Sequence, residues 1–144
     1  MLNKHLFCYV VIVIATLFSM PSFSNEVEII NVKTKQLQDK SWRFDVTLKH
    51  DDKGWNHYAN KWQVITLDNK ILGTRTLYHP HVNEQPFTRS LDGVKIPDDI
   101  KKVRIIAQDT VHGLSKNAVE LVLSSNKLTH VSLTLSKSKK TDKP

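Results

Sequence analysis

The chain has 144 residues, of which 24% are charged and 40% are hydrophobic, with a formal net charge of +7 and a single cysteine. This length suits one domain. One cysteine excludes a fold held by internal disulfides, and phosphate-binding loops and dinucleotide-binding fingerprints do not occur in the sequence.

The first 24 residues have the pattern of a signal peptide. A short polar start precedes an apolar run over residues 6–20, and residues 22–24 supply the small-x-small pattern that signal peptidases cleave. A retained membrane anchor is the alternative, but a span needs about 20 apolar residues and this run is shorter. Cys8 lies inside the run, which argues against a lipoprotein anchor. We expect cleavage after Ser24, a periplasmic or secreted location, and no stable membrane span afterwards.

The expected mature chain, residues 25–144, contains neither cysteine nor methionine. Lysines are concentrated near its end, so residues 137–144 are predicted to form a basic, disordered tail. This leaves residues 25–136 as a single domain. A basic tail could contact an anionic surface, whereas export argues against a nucleic-acid partner. The natural partner stays unknown from the sequence.

Apolar residues recur with a period of two along most of the domain, as in Trp42, Phe44, Val46 and Leu48. This period indicates half-buried strands. Asp68 and Asn69 separate two apolar runs and predict a tight hairpin turn. The predicted strands cover residues 26–35, 41–50, 60–67, 70–78, 87–94, 101–109 and 118–124, with a weaker edge strand at 128–135.

Regular short strands with such turns predict an all-β protein. Residues 91–109 resemble the crossing between the fifth and sixth strands of immunoglobulin-like and fibronectin-like sandwiches. The resemblance implies an immunoglobulin-like antiparallel β-sandwich of about seven strands. The Cys…Trp…Cys framework of antibody domains does not occur in the sequence.

Five histidines fall in three alternate loops of this predicted sandwich. His50 and His57 lie between strands two and three, His79 and His81 between four and five, and His112 between six and seven. Because each antiparallel connection reverses the chain, alternate loops lie at one end of a sandwich. We expect all five histidines at one pole, and functional residues often lie on such loops.

Three segments at that pole resemble a group of uncharacterised bacterial exported proteins. Residues 55–62 match W-x-H-Y-A-x-x-W, residues 77–90 match L-x-H-P-H-x-x-E-Q-P-F-T-R-S, and Asp109 precedes x-V-H-G at residues 110–113. The resemblance implies a shared site without naming its chemistry.

The first hypothesis is a metal site. Neutral imidazole is the commonest metal ligand, and His-x-His on an extended segment places both rings on one side. Thiolate and thioether ligands are missing from the mature chain, which favours Cu(II) or Zn(II) over Cu(I). The predicted ligands are His57, His79, His81 and His112. Glu84 and Asp109 are candidates for orienting the rings, and Tyr58 for an outer ligand.

The second hypothesis is a binding module for a protein partner or a carbohydrate. Trp55 and Tyr58 would contribute to an aromatic platform with Arg89 at its rim. Trp42 and Trp62 are expected in the core instead, since tryptophan is highly buried on average.

A hydrolytic enzyme is the third and least favoured hypothesis. Asp109 with His112, or Glu84 with His79 or His81, could act as acid and base. Neither Ser90 nor Ser115 lies in a G-x-S-x-G motif. We therefore favour binding without catalysis and leave the enzyme question open.

Overall fold

The structure, a computed structural model, describes residues 25–124 and 129–132. The expected signal peptide and the expected basic tail lie outside these residues. Within them there is no helix long and apolar enough to cross a bilayer.

Nine strands make up the regular structure of the described residues. They are β1 (Glu28–Gln36), β2 (Trp42–Lys49), β3 (Ala59–Ile65), β4 (Ile71–Thr76), β5 (Phe87–Val94), β6 (Lys102–Asp109), β7 (Gly113–Leu114), β8 (Val119–Val122) and β9 (Thr129–Ser132).

The strands form two antiparallel sheets. The first sheet has the order β5-β2-β1-β9, and the second has the order β4-β3-β6-β7, with β8 also paired to β6. The prediction of an all-β antiparallel sandwich is confirmed. All seven predicted strands occur within about two residues of their predicted bounds. The weaker edge strand predicted at residues 128–135 corresponds to the four-residue β9. Among the described strands, β7 has no counterpart in the prediction, because its two residues are too few to show alternation.

The core contains the inward-facing side chains of both sheets. Phe44 and Val46 of β2 belong to the same buried cluster as Val64 of β3 and Ile105 of β6. Alternation explains this, because every second residue of a strand faces the opposite sheet. Both tryptophans that were expected in the core, Trp42 and Trp62, are buried in this cluster.

Gly73 allows the sheets to approach closely where β4 lies over β5. A Cβ atom at this position would meet the side chains of Leu91 at 3.0 Å and Val94 at 3.1 Å. Glycine inside a strand often marks such a close approach.

Three loops meet at one end of the sandwich, which we call the histidine pole: residues 50–58, 77–86 and 110–112. The backbone N–H of His50 donates to Oε1 of Gln85 at 3.0 Å, which joins the first two loops. The N–H of Thr110 donates to the carbonyl of Tyr58 at 3.1 Å, which joins the first and third. Each loop follows an even-numbered strand, so reversal of the chain brings all three to this end.

Candidate metal centre

Asp52 is the buried carboxylate that connects the loops at the base of the histidine pole. Its side chain is fully buried. Oδ1 accepts the backbone N–H of Ala59 at 2.9 Å, and Oδ2 accepts the backbone N–H of His81 at 2.6 Å. Nδ1 of His50 lies 2.6 Å from Oδ1. One carboxylate thus joins two loops to the start of β3.

His50 is the histidine most completely engaged by hydrogen bonds. Its Nδ1 contacts Asp52, and its Nε2 lies 3.0 Å from the carbonyl oxygen of Asn25. Both partners are acceptors, so the ring donates to both only in its doubly protonated form. The residue is buried because it continues the inward-facing series of β2, two positions after Leu48.

Asp109 ends the inward-facing series of β6 and is 1% exposed. Its Oδ1 accepts the backbone N–H groups of Val111 at 2.8 Å and His112 at 2.7 Å. Burial alone would raise the pKa of Asp109, but these hydrogen bonds and the nearby His112 ring lower the pKa overall. The carboxyl group is therefore ionised at neutral pH.

His57 and His112 both approach the carboxylate of Asp109. Nε2 of His57 is 3.3 Å from Oδ1 of Asp109, yet the two atoms are not aligned, and this buried nitrogen has no hydrogen-bond partner. Nδ1 of His112 lies 3.2 and 3.3 Å from the two carboxylate oxygens. The centroids of the two rings are 4.9 Å apart.

His50, His57 and Asp109 form a compact group of metal-ligating side chains. One ligand atom from each lies within 4.8 Å of the others, and the described residues contain one such group. Two ligands bound to zinc at 2.0–2.1 Å are about 3.4 Å apart, so binding would shorten the longest of these separations by at most about 1.4 Å. Nε2 of His57 and Oδ1 of Asp109 are already at this spacing.

His79 and His81 form a separate pair in the second loop of the pole. Their ring centroids are 4.6 Å apart. The ring of His81 is buried, stacks on Phe87 at 3.8 Å, and has no hydrogen-bond partner for either nitrogen. Burial, the positive charge of Arg89 and the His79 ring lower the pKa of His81. The ring is therefore neutral at pH 7.

The four histidines predicted as ligands thus lie as two pairs. One pair, His57 and His112, contacts Asp109, and the other pair, His79 and His81, lies beside Asp52, whose Oδ2 is 3.9 Å from Nδ1 of His81.

The other predicted site residues lie around these pairs. Both carboxylate oxygens of Glu84 bond to the guanidinium of Arg89, at 3.2 and 2.8 Å, and this contact lowers the pKa of Glu84. Trp55 is 69% exposed, and its ring lies 5.9 Å from that of Tyr58. Glu84 therefore neutralises Arg89, and the two aromatic residues form part of the outer surface of the pole.

Sequence reasoning did not identify Asp52 at all and did not include His50 among the ligands. The available signal was the strand alternation: both residues continue the inward series that includes Leu48. A polar residue at such a position must be buried and therefore needs a partner.

Comparison with known proteins gives one curated relative. A protein named "Putative lipoprotein" from Halomicrobium mukohataei is 36% identical over 94 residues, which is 65% of this chain and 46% of the relative. This chain therefore spans less than half the length of that relative. No family model matches the chain, and no solved structure matches it.

Proposed function

We propose that this is an exported protein that binds Cu(II) or Zn(II) at the histidine pole. The central ligands are His57 and Asp109, with His50 and His112 beside them. The observation that carries the proposal is the compact group of His50, His57 and Asp109, whose ligand atoms lie within 4.8 Å of one another.

The unpartnered nitrogen of His57 supports an ion at this position. An unsatisfied buried polar atom costs about 1–3 kcal/mol. Nε2 of His57 is such an atom, although a carboxylate oxygen of Asp109 is only 3.3 Å away. An ion between them would accept electron pairs from both. The ionised state of Asp109 suits this role because a ligating carboxylate must be deprotonated.

The donor types restrict the metal. A mixed set of imidazole nitrogens and one carboxylate oxygen suits Zn(II) and Cu(II). Cu(I) prefers cysteine or methionine, and residues 25–144 contain neither.

His50 contributes differently from His57. Its Nε2 is already hydrogen bonded to the carbonyl of Asn25, so ligation would exchange that carbonyl for the ion. Its Nδ1 contacts Asp52, and a carboxylate behind a ligating imidazole is the usual way to orient such a ring. His50 therefore has to give up a hydrogen bond to bind the ion, whereas Nε2 of His57 has none to lose.

Two independent observations support the proposal that the protein is exported. The first 24 residues have a signal-peptide pattern, and the relative from Halomicrobium mukohataei carries the name of a lipoprotein. We propose cleavage after Ser24, a periplasmic or secreted location, one domain over residues 25–136, and a basic tail at 137–144.

Calorimetric titration of the processed protein with Zn(II) and Cu(II) tests the metal site. We expect His57→Ala and Asp109→Asn each to weaken binding by at least about tenfold. Asp45→Asn is the matched control, because Asp45 is a half-buried carboxylate on the outer face of β2 and should leave affinity unchanged. Absence of binding to the folded wild type, or equal affinity in all variants, would overturn the proposal.

A second candidate function is recognition of a protein partner or a carbohydrate by the same pole. The observation that favours it is the exposure of large apolar side chains on the three loops: Trp55, Tyr78, Val82 and Val111 are all more than half exposed. Aromatic residues at such positions suit both interfaces and sugar rings. Ligand addition should then shift the fluorescence of Trp55 to shorter wavelength.

Hydrolysis is less well supported than either form of binding. The paired histidines and carboxylates have the right chemistry for acid and base groups. However, neither Ser90 nor Ser115 lies in a G-x-S-x-G motif that would supply a nucleophile beside them. A binding role therefore remains the favoured one.

A further inference from the structure

His81 has a property that the site around Asp109 does not explain. The residue is 3% exposed, and both of its ring nitrogens are buried without hydrogen-bond partners. Most buried polar atoms in proteins are satisfied, so two unpartnered atoms on one ring indicate a missing partner.

His79 supplies a second imidazole at the same place. Its ring centroid lies 4.6 Å from that of His81, and its side chain is exposed to solvent. The two residues are separated by Pro80, whose ring restricts the backbone between them. Stacking of His81 on Phe87, with an interplanar angle of 9°, fixes the plane of the inner ring. The pair is therefore largely preorganised.

Asp52 lies close to this pair as well as to His50, although it is hydrogen bonded only to the His50 ring. Its Oδ1 contacts Nδ1 of His50 at 2.6 Å, and its Oδ2 lies 3.9 Å from Nδ1 of His81. Nδ1 is the nitrogen of His81 nearer to this carboxylate. Nε2 of His81 is then the available donor.

The positive charge of Arg89 would oppose a cation beside His81. The guanidinium carbon lies 5.4 Å from the centroid of the Phe87 ring on which His81 stacks. Glu84 offsets this charge through two hydrogen bonds to the same guanidinium. The local charge therefore does not exclude a divalent ion.

We propose that His79 and His81 bind a second transition-metal ion, so that each chain takes two ions at the histidine pole. The ion is of the class that prefers imidazole nitrogen, Zn(II) or Cu(II), with water at its remaining positions. The choice of metal rests on the proposed function, but the residues are different. This ion has two protein ligands, whereas His50 and His112 also lie beside the ion at His57 and Asp109. The second ion therefore binds more weakly than the first.

Titration of the processed protein with Zn(II), followed by calorimetry and native mass spectrometry, tests the number of ions. The test variant is His79→Gln, because this exposed side chain can change without disturbing the core. Asn83→Ala, in the same loop and also exposed, is the matched control. We expect two ions in the wild type and in the control, one tight ion in His79→Gln, and one weak ion in His57→Ala.

The outcomes separate this inference from the proposed function. One ion that is lost in His57→Ala and kept in His79→Gln would overturn the second site alone. One ion that is lost in both His57→Ala and His79→Gln would also overturn it, since the two pairs would then form a single centre. An ion that is lost only in His79→Gln would support the second site and overturn the first. No binding would overturn both.

Discussion

Nδ1 of His50 lies 2.6 Å from Oδ1 of Asp52, and both side chains are completely shielded from solvent. The other oxygen of Asp52 accepts the backbone N–H of His81, 29 residues further along the chain. The pair therefore holds two loops of the histidine pole in a fixed relation.

Replacing Asp52 with alanine should reduce the free energy of unfolding by about 3–5 kcal/mol, because it leaves a buried imidazole and two backbone N–H groups without their acceptor. Urea unfolding of the metal-free protein measures this change. Asp51→Ala is the control, since the Asp51 side chain is exposed and its carboxylate pairs with the exposed Lys53. Equal stability of the two variants would contradict the structural role of Asp52.

Fluorescence of Trp55 should report on Cu(II) at the pole. Trp42 and Trp62 are buried, whereas Trp55 is largely exposed on the loop that carries His57. Trp55→Phe should therefore shift the emission maximum to shorter wavelength. In the wild type, a paramagnetic Cu(II) ion should quench the long-wavelength emission of Trp55 preferentially. Equal quenching across the spectrum, or quenching unchanged in His57→Ala, would place the ion elsewhere.

Asp45 should make stability depend on pH in the acid range. Burial raises the pKa of Asp45, but hydrogen bonds from Ser90 and Arg43, together with the guanidinium charge, lower the pKa overall. A lowered native pKa means that the unfolded chain binds the proton first. The stabilising contribution is therefore present above about pH 3.9 and is lost as pH falls through the native pKa.

The difference in unfolding free energy between wild type and Asp45→Asn measures this contribution. We expect the difference to be constant above about pH 5 and to shrink as pH falls below about 4. Urea titrations at a series of pH values provide the data. A difference that does not change with pH would show that the charge of Asp45 contributes nothing.

The strands could be predicted from the sequence because the signal is local. Phe44 and Val46 alternate with Arg43 and Asp45, and this period of two identifies both the strand and the face that is buried. The same reasoning predicted the bounds of β5 without error, at residues 87–94. Alternation could not reveal β7, because a strand of two residues has no period.

The candidate metal ligands could also be identified from the sequence. His57, His79, His81 and His112 were identified because they are rare residue types concentrated in alternate loops. Whether they bind metal remains a prediction. Asp52 was missed because, in the sequence, an aspartate between Asp51 and Lys53 looks like an ordinary residue of an exposed polar turn.

The sequence by itself determined the strands, their buried faces and the residue types available at one pole, since each depends on neighbours a few positions apart. Only the tertiary structure decided the pairing of those residues. His57 joins His112 across 55 positions, and Asp52 joins His81 across 29, because loop-to-loop distances depend on how the two sheets pack. Alternation along one strand carries no information about that packing.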